Sequence, residues 1–169
     1  MERILVSSCL VGRPVRYDGA SKPLGADLLA RWRAEGRLVP VCPEVSGGLA
    51  VPRPPAEIVG GDGHAVLDGT ARVRANTGKD VTAEFVRGAQ AALDTARRAG
   101  ARIALLKEGS PSCGGNRIYD GTFTRKSVPG EGVTAALLQR EGIHVFSEDE
   151  LPAVEALLHD LEANRPPSS

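Results

Sequence analysis

The chain has 169 residues, 41% of them hydrophobic and only 4% aromatic, with 21 basic and 21 acidic side chains. That balance gives no support to a nucleic-acid-coating protein or a polybasic membrane binder, and no apolar run approaches the length of a membrane span. The length suits one domain with a small insertion, and 20 Gly and 12 Pro put much of the chain in ordered loop.

Ile4-Leu5-Val6 is a short buried-strand signal. It runs into Ser7-Ser8-Cys9-Leu10-Val11-Gly12 and then Arg16-Tyr17-Asp18-Gly19, a turn-type sequence. Met1 to Ile4 shows no secretory pattern, and three cysteines cannot all pair. The expectation is a cytoplasmic protein with reduced thiols. Asp27 to Glu35 predicts a helix: Leu28, Leu29 and Trp32 share a face, and Gly36 stops it. Leu38 to Val41 predicts a second strand, which leads at once into Cys42-Pro43-Glu44.

Pro52-Arg53-Pro54-Pro55 reads as a rigid extended connector, because proline lacks the amide donor and fixes its own φ. His64–Asp68 and Ala71–Arg74 flank Asp68-Gly69, and that spacing predicts a β-hairpin inserted at about residues 60–75. Thr82 is placed to cap a helix over Ala83–Ala99, with Phe85, Ala89, Leu93 and Ala96 at helical spacing and Gly100 closing it. Ile103–Leu106 predicts a third strand. Lys107 and Glu108 follow as a structural pair, then Gly109-Ser110-Pro111-Ser112-Cys113-Gly114-Gly115.

Ile118-Tyr119-Asp120-Gly121 echoes the Tyr-Asp-Gly that follows Cys9. Lys126–Gly130 reads as a loop. Glu131–Glu141 reads as a helix with Val133, Leu137 and Leu138 inward, and its Gly130-Glu131-Gly132 start is a place where a phosphate can rest. Ile143–Phe146 predicts a last strand. A final helix runs from near Pro152 to about Leu161; Ser147 and Glu150 have capping-box spacing. Residues 163–169 read as a flexible tail after a domain spanning 1–162.

Strands alternating with helices imply α/β architecture: a Rossmann-like three-layer sandwich around a mainly parallel four-stranded sheet, order 2-1-3-4, plus the hairpin. In such sheets ligands bind beyond the carboxyl ends of the strands, at the switch point. Cys9, Cys42 and Cys113 each follow one of the first three strands. As isolated residues they are small buried hydrophobes. As a set they are three thiols at loop junctions beside Gly, Pro or Ser, without CxxC spacing, which disfavours a zinc finger. Two sharper readings remain open at this point. One is a zinc site with an open position or with His64 or His144 as a distant fourth ligand; the other is a four-iron cluster with one iron free of protein.

The blocks VSSCLVG, VPVCPEVSGGL, PRPPAEI, LLKEGSPSCG, IYDGTF and GEGVTAALL, in that order, resemble a bacterial family (DUF523) whose characterised branch comprises the thiouracil desulfidases. The resemblance runs from about Arg3 to Glu148. It implies a Rossmann-like fold and a [4Fe-4S] cluster held by Cys9, Cys42 and Cys113, with the fourth iron meeting the sulfur of a thiolated nucleobase or nucleotide. It also implies Glu44 and Ser110 as catalytic helpers. Asp18, Ser112 and Asp120 are candidates for substrate binding, since a carboxylate accepts from a ring N–H and a serine hydroxyl can donate. The implied activity is sulfide release from 2-thiouracil or a related base. A sulfur-transfer enzyme and a non-catalytic cluster or zinc module are the alternatives. The expected partner is a small molecule; neither a membrane nor a nucleic acid is expected.

Overall fold

A computed structural model describes residues 1–11 and 27–163. The chain opens with β1 (Ile4–Ser7), a 3-10 turn (Ser8–Val11), α1 (Asp27–Ala34), β2 (Leu38–Val41) and the single-turn α2 (Pro43–Ser46). β3 (Ala56–Val59), α3 (Gly63–Leu67), β4 (Arg72–Ala75), α4 (Thr82–Ala99) and β5 (Ile103–Leu106) follow. β6 (Arg117–Tyr119), β7 (Ser127–Pro129), α5 (Val133–Arg140), β8 (His144–Ser147), a 3-10 turn (Glu148–Glu150) and α6 (Leu151–Ala163) complete it.

β2, β1, β5 and β8 lie side by side in that order, all parallel. This is the predicted 2-1-3-4 order, with the switch point between β1 and β5. Register pairs Ser7 with Val41 and Leu106 with Ser147, so the strands finish level. β1 and β5 are buried at every position, as a sheet covered on both faces requires. Leu5, Ala104 and Leu106 turn to Phe85, Ala89 and Leu93 of α4 and Val133 and Leu138 of α5. Ile4, Val6, Ile103 and Leu105 turn to Leu29 and Trp32 of α1 and Val154 and Leu158 of α6. Each such fully buried side chain contributes about 1.5–3 kcal/mol. These are the two helical layers of the sandwich. No helix among the described residues is long and apolar enough to cross a membrane.

Several elements differ from expectation. The hairpin joins β3 to β4, pairing Ala56 with Ala75 and Val59 with Arg72, and His64–Leu67 belongs to α3 between them. Asp62 caps α3 by accepting from the His64 and Ala65 amides. Asp68-Gly69 is a real turn, with Gly69 at φ +83°, but it closes a helix. Thr82 does not cap α4: its hydroxyl accepts from the Val73 amide at 2.9 Å, tying the helix start to β4. Asp80 instead takes the Thr82 amide at 2.9 Å. The expected Lys126–Gly130 loop contains β7, which pairs antiparallel with β6. Ser147 and Glu150 do form a capping box, but on the 3-10 turn, so Pro152 falls at the second position of α6. The tail beyond Ala163 lies outside the described residues.

α2 is held against α4 backbone to backbone. A Cβ at Gly88 would stand 1.9 Å from the Pro43 carbonyl oxygen, and one at Gly47 would stand 1.9 Å from that of Glu84. Glycine at both positions is therefore a requirement of close approach. Gly88→Ala tests this by sign. In a free helix face the change gains about 1 kcal/mol of helix propensity; against Pro43 it costs about 1–3 kcal/mol of overpacking. We expect a lowered urea midpoint, and a raised one would contradict the contact.

Candidate metal centre at the carboxyl edge of the sheet

The three cysteines leave the sheet at one edge. Cys9 sits in the 3-10 turn directly after β1, and Cys42 is the residue between β2 and α2. Cys113 lies in the loop after β5. None of the three is in a disulfide; Cys9 and Cys113 are buried and Cys42 is half-buried. Burial pushes the Cys113 thiol well above its ordinary range. A hydrogen bond from the Ser7 hydroxyl opposes this, while the charges of Cys42, Glu44 and Cys9 add to it. Burial also raises the Cys42 thiol; the Val45 amide, Arg53 and the Glu44 amide oppose it, and the Glu44 carboxylate adds to it. Cys113 is thus within electrostatic reach of Cys42, Glu44 and Cys9. Cys9 and Cys113 flank the same edge of the sheet from its two sides, Cys9 packing in the α1/α6 layer and Cys113 in the α4/α5 layer.

Glu44 is paired with Arg53, which also donates to the Ala50 carbonyl at 3.1 Å. The proline-flanked arginine therefore serves as the partner of the acid beside Cys42. Both side chains are largely buried, at 15% and 7% exposure, so the pair is shielded from screening by water.

The loop carrying Cys113 is built on a carboxylate. Glu108 Oε1 accepts from the amides of Gly109, Asn116 and Arg117, and its other oxygen from the Asn116 side chain. Lys107 is not its ion partner; Lys107 Nζ faces Glu148 at 3.4 Å. Ser110 Oγ accepts from the Ser112 and Cys113 amides, both at 3.1 Å, which leaves its own proton available to a ligand. Ser112 is buried and its hydroxyl meets Thr134 Oγ1 at 2.7 Å, which anchors the loop to α5.

The start of α5 offers no phosphate seat. Gly132, Val133 and Thr134 donate their amides to the carbonyls of Gly114, Pro111 and Ser112, at 2.7, 2.8 and 2.9 Å. The Cys113 loop fills the space a phosphate would take. A Cβ at Gly132 would stand 2.4 Å from the Ser112 carbonyl oxygen, so the approach admits no side chain.

Asp120 accepts from the Thr122 amide and hydroxyl, which hold its carboxyl below the usual range. It folds its own loop, whose Gly121 and Phe123 amides are tied to the buried carboxylate of Glu57 at 3.0 and 3.2 Å. Asp18 lies outside the described residues. Neither expected histidine joins the cysteines. His64 is engaged by Glu131 at 2.8 Å and Arg140 at 3.1 Å. His144 starts β8 at the opposite edge of the sheet, roughly 10 Å away along the strand. A groove of about 700 Å³ lined by Leu28, Trp32, Leu151 and Leu158 runs between α1 and α6 and contains none of the candidate residues. Ser7, which sequence reasoning did not single out, ends β1 and accepts from the Lys107 amide at 3.0 Å, tying the end of β1 to the start of the loop that carries Cys113.

A model of the 2-thiouracil desulfurase family matches residues 4–150. A relative from Bacillus subtilis (strain 168), described as the uncharacterized protein YbbK, is 47% identical over 148 residues, which cover 88% of this chain and 97% of the relative. A solved structure described as a [4Fe-4S]-dependent thiouracil desulfidase, TudS, is 53% identical with a TM-score of 0.86. That match covers 94% of this chain and 99% of the other.

Glu108 yields a pH prediction. Burial raises its carboxyl, but the Arg117, Asn116 and Gly109 hydrogen bonds win and hold it below its ordinary value. The stabilisation is complete above the unfolded pKa of about 4.3 and is lost as pH falls through the lower folded value. Glu108→Gln keeps an acceptor for the three amides and removes the charge. The wild type should exceed E108Q in urea stability at pH 6, and the gap should shrink on acidification below about pH 4.3.

Proposed function

The chain belongs to the 2-thiouracil desulfurase family, and from that premise we propose that it is a [4Fe-4S]-dependent desulfidase that removes sulfur from 2-thiouracil or a related thiolated pyrimidine. The observation that carries the reading is that three thiols, none in a disulfide, follow the level carboxyl ends of three adjacent parallel strands, with the ion-paired Glu44 two residues from Cys42. The donor set fits the cluster. A single zinc draws its thiolates to about 2.3 Å from one point, and among the described residues no three His, Cys, Asp or Glu side chains converge to hold one metal ion. A cubane takes each thiolate on a different iron, so its ligands stand farther apart. Cys9, Cys42 and Cys113 would hold it. Bound there, it would supply a thiophilic Lewis acid for the departing sulfur at the iron no cysteine reaches.

The chain's own groups supply the rest. Water adds to the thiocarbonyl carbon, and Glu44 takes its proton. The carbon–sulfur bond breaks, carbonyl oxygen replaces sulfur, and the sulfur departs as sulfide. Arg53 fixes the direction of the Glu44 carboxylate. Ser110, its oxygen already held by two amides, turns its proton outward to the base or to the sulfur. The close packing of the Cys113 loop on α5 keeps bulk water from one side of the site.

Anaerobic reconstitution should give about four irons and four sulfides per chain, with sulfide released from 2-thiouracil in the absence of any added acceptor. Glu44→Gln should lower kcat about 10²–10⁴-fold with iron content unchanged. Bound zinc without iron would overturn the cluster. Release that depends on an added sulfur acceptor would make the protein a transferase.

A further inference from the structure

Cys9 lies in the turn directly after β1, and Cys42 lies between β2 and α2, so regular structure holds both. Cys113 has no such support, because β5 ends at Leu106 and the stretch between contains Gly109. One carboxylate joins the two ends of its loop instead. Glu108 Oε1 accepts from the Gly109, Asn116 and Arg117 amides at 3.3, 3.0 and 2.8 Å, and Oε2 accepts from the Asn116 side chain at 3.2 Å. The closed ring is in turn fixed to the turn after β8. Glu148 Oε1 accepts the Glu108 amide at 2.6 Å, with Lys107 Nζ 3.4 Å from its other oxygen. Glu150 Oε1 accepts from Asn116 Nδ2 and from the Ser147 amide, both at 3.0 Å. None of these bonds involves Cys113 or Ser110. They set where the loop stands, while Ser110 holds the Cys113 amide within it.

We propose that Glu108 is a positioning residue for Cys113: by closing residues 109–117 into a ring, it holds the thiol at the sheet edge before a cluster arrives and keeps it there afterwards. This rests on the cluster reading above. A loop containing Gly109, Gly114 and Gly115 loses much backbone freedom on ordering. Here the carboxylate orders it in advance, so little freedom remains to be lost when the thiolate binds iron. The ionised group suits the task, since an anionic acceptor bonds an amide more strongly than a neutral one. With the ring open, Cys113 would leave its iron for part of the time. The cluster would then be held by two thiolates, with a second iron open to solvent and to chelators.

The test uses the full chain as wild type, Glu108→Ala, Glu108→Gln and Thr82→Val. T82V removes the hydroxyl bond to Val73 and serves as a stability control away from the loop. In the reduced, metal-free protein, alkylation of each cysteine by iodoacetamide is followed by peptide mass spectrometry. In the anaerobically reconstituted protein, the loss of iron to an added chelator is timed. We expect Cys113 labelling to rise relative to Cys9 in E108A, and iron loss to quicken about tenfold or more. E108Q, which keeps an acceptor for the amides, should fall between E108A and the wild type. T82V should lower the urea midpoint and change neither reading. Wild-type labelling and iron loss in E108A, or in E108Q where E108A does not fold, would overturn the role of Glu108 and leave the cluster reading standing. Equal changes in T82V would also overturn it, by reducing the effect to general stability. Iron absent from every form, the wild type included, would overturn the cluster reading, and the labelling would still decide whether Glu108 holds Cys113.

Discussion

Everything at this site depends on the register of the parallel sheet. Ser7 is level with Val41, and Val6 is level with Leu105, so three strands distant in sequence end at one height. Each is followed at once by a loop that carries a thiol. Antiparallel neighbours would have sent alternate loops to opposite edges and separated the cysteines by a strand length. The level finish comes from crossovers of one hand through α1 and α4, whose apolar faces need both sides of the sheet.

A second constraint is contact without side chains. Gly47 and Gly88 bring α2 onto α4, while Gly63 and Gly132 bring α3, α5 and the Cys113 loop together. The first pair positions Cys42 and Glu44, and the second pair positions Cys113. Small residues near the thiols thus act as spacers of zero thickness. They let the core of the sandwich determine where three loops stand.

The four strands were legible because each is a short apolar run, and their order was that expected of a Rossmann-like sheet with right-handed crossovers. What failed was anything decided by a distant partner. Asp68-Gly69 is chemically the same whether it ends a helix or turns a hairpin, and only the capping of α3 by Asp62 distinguishes the two. Ser127-Val128-Pro129 becomes a strand because Arg117–Tyr119 is there to receive it. The Gly130-Glu131-Gly132 helix start resembled an anion seat until the Pro111 and Ser112 carbonyls occupied its amides. Ser7 and Lys107 lie 100 positions apart, so no local pattern announces their bond. The placement of each cysteine just after a strand was legible in the chain; the Arg53 and Glu108 contacts around Glu44 and the Cys113 loop were visible only in three dimensions.

The spacing of the thiols along the chain also imposes an order of events. Cys9 and Cys42 emerge early in synthesis, but Cys113 follows them only after β5, which pairs with β1. No nascent fragment that stops short of that strand presents more than two of the three donors. Binding through all three thiols therefore needs the chain at least as far as Cys113.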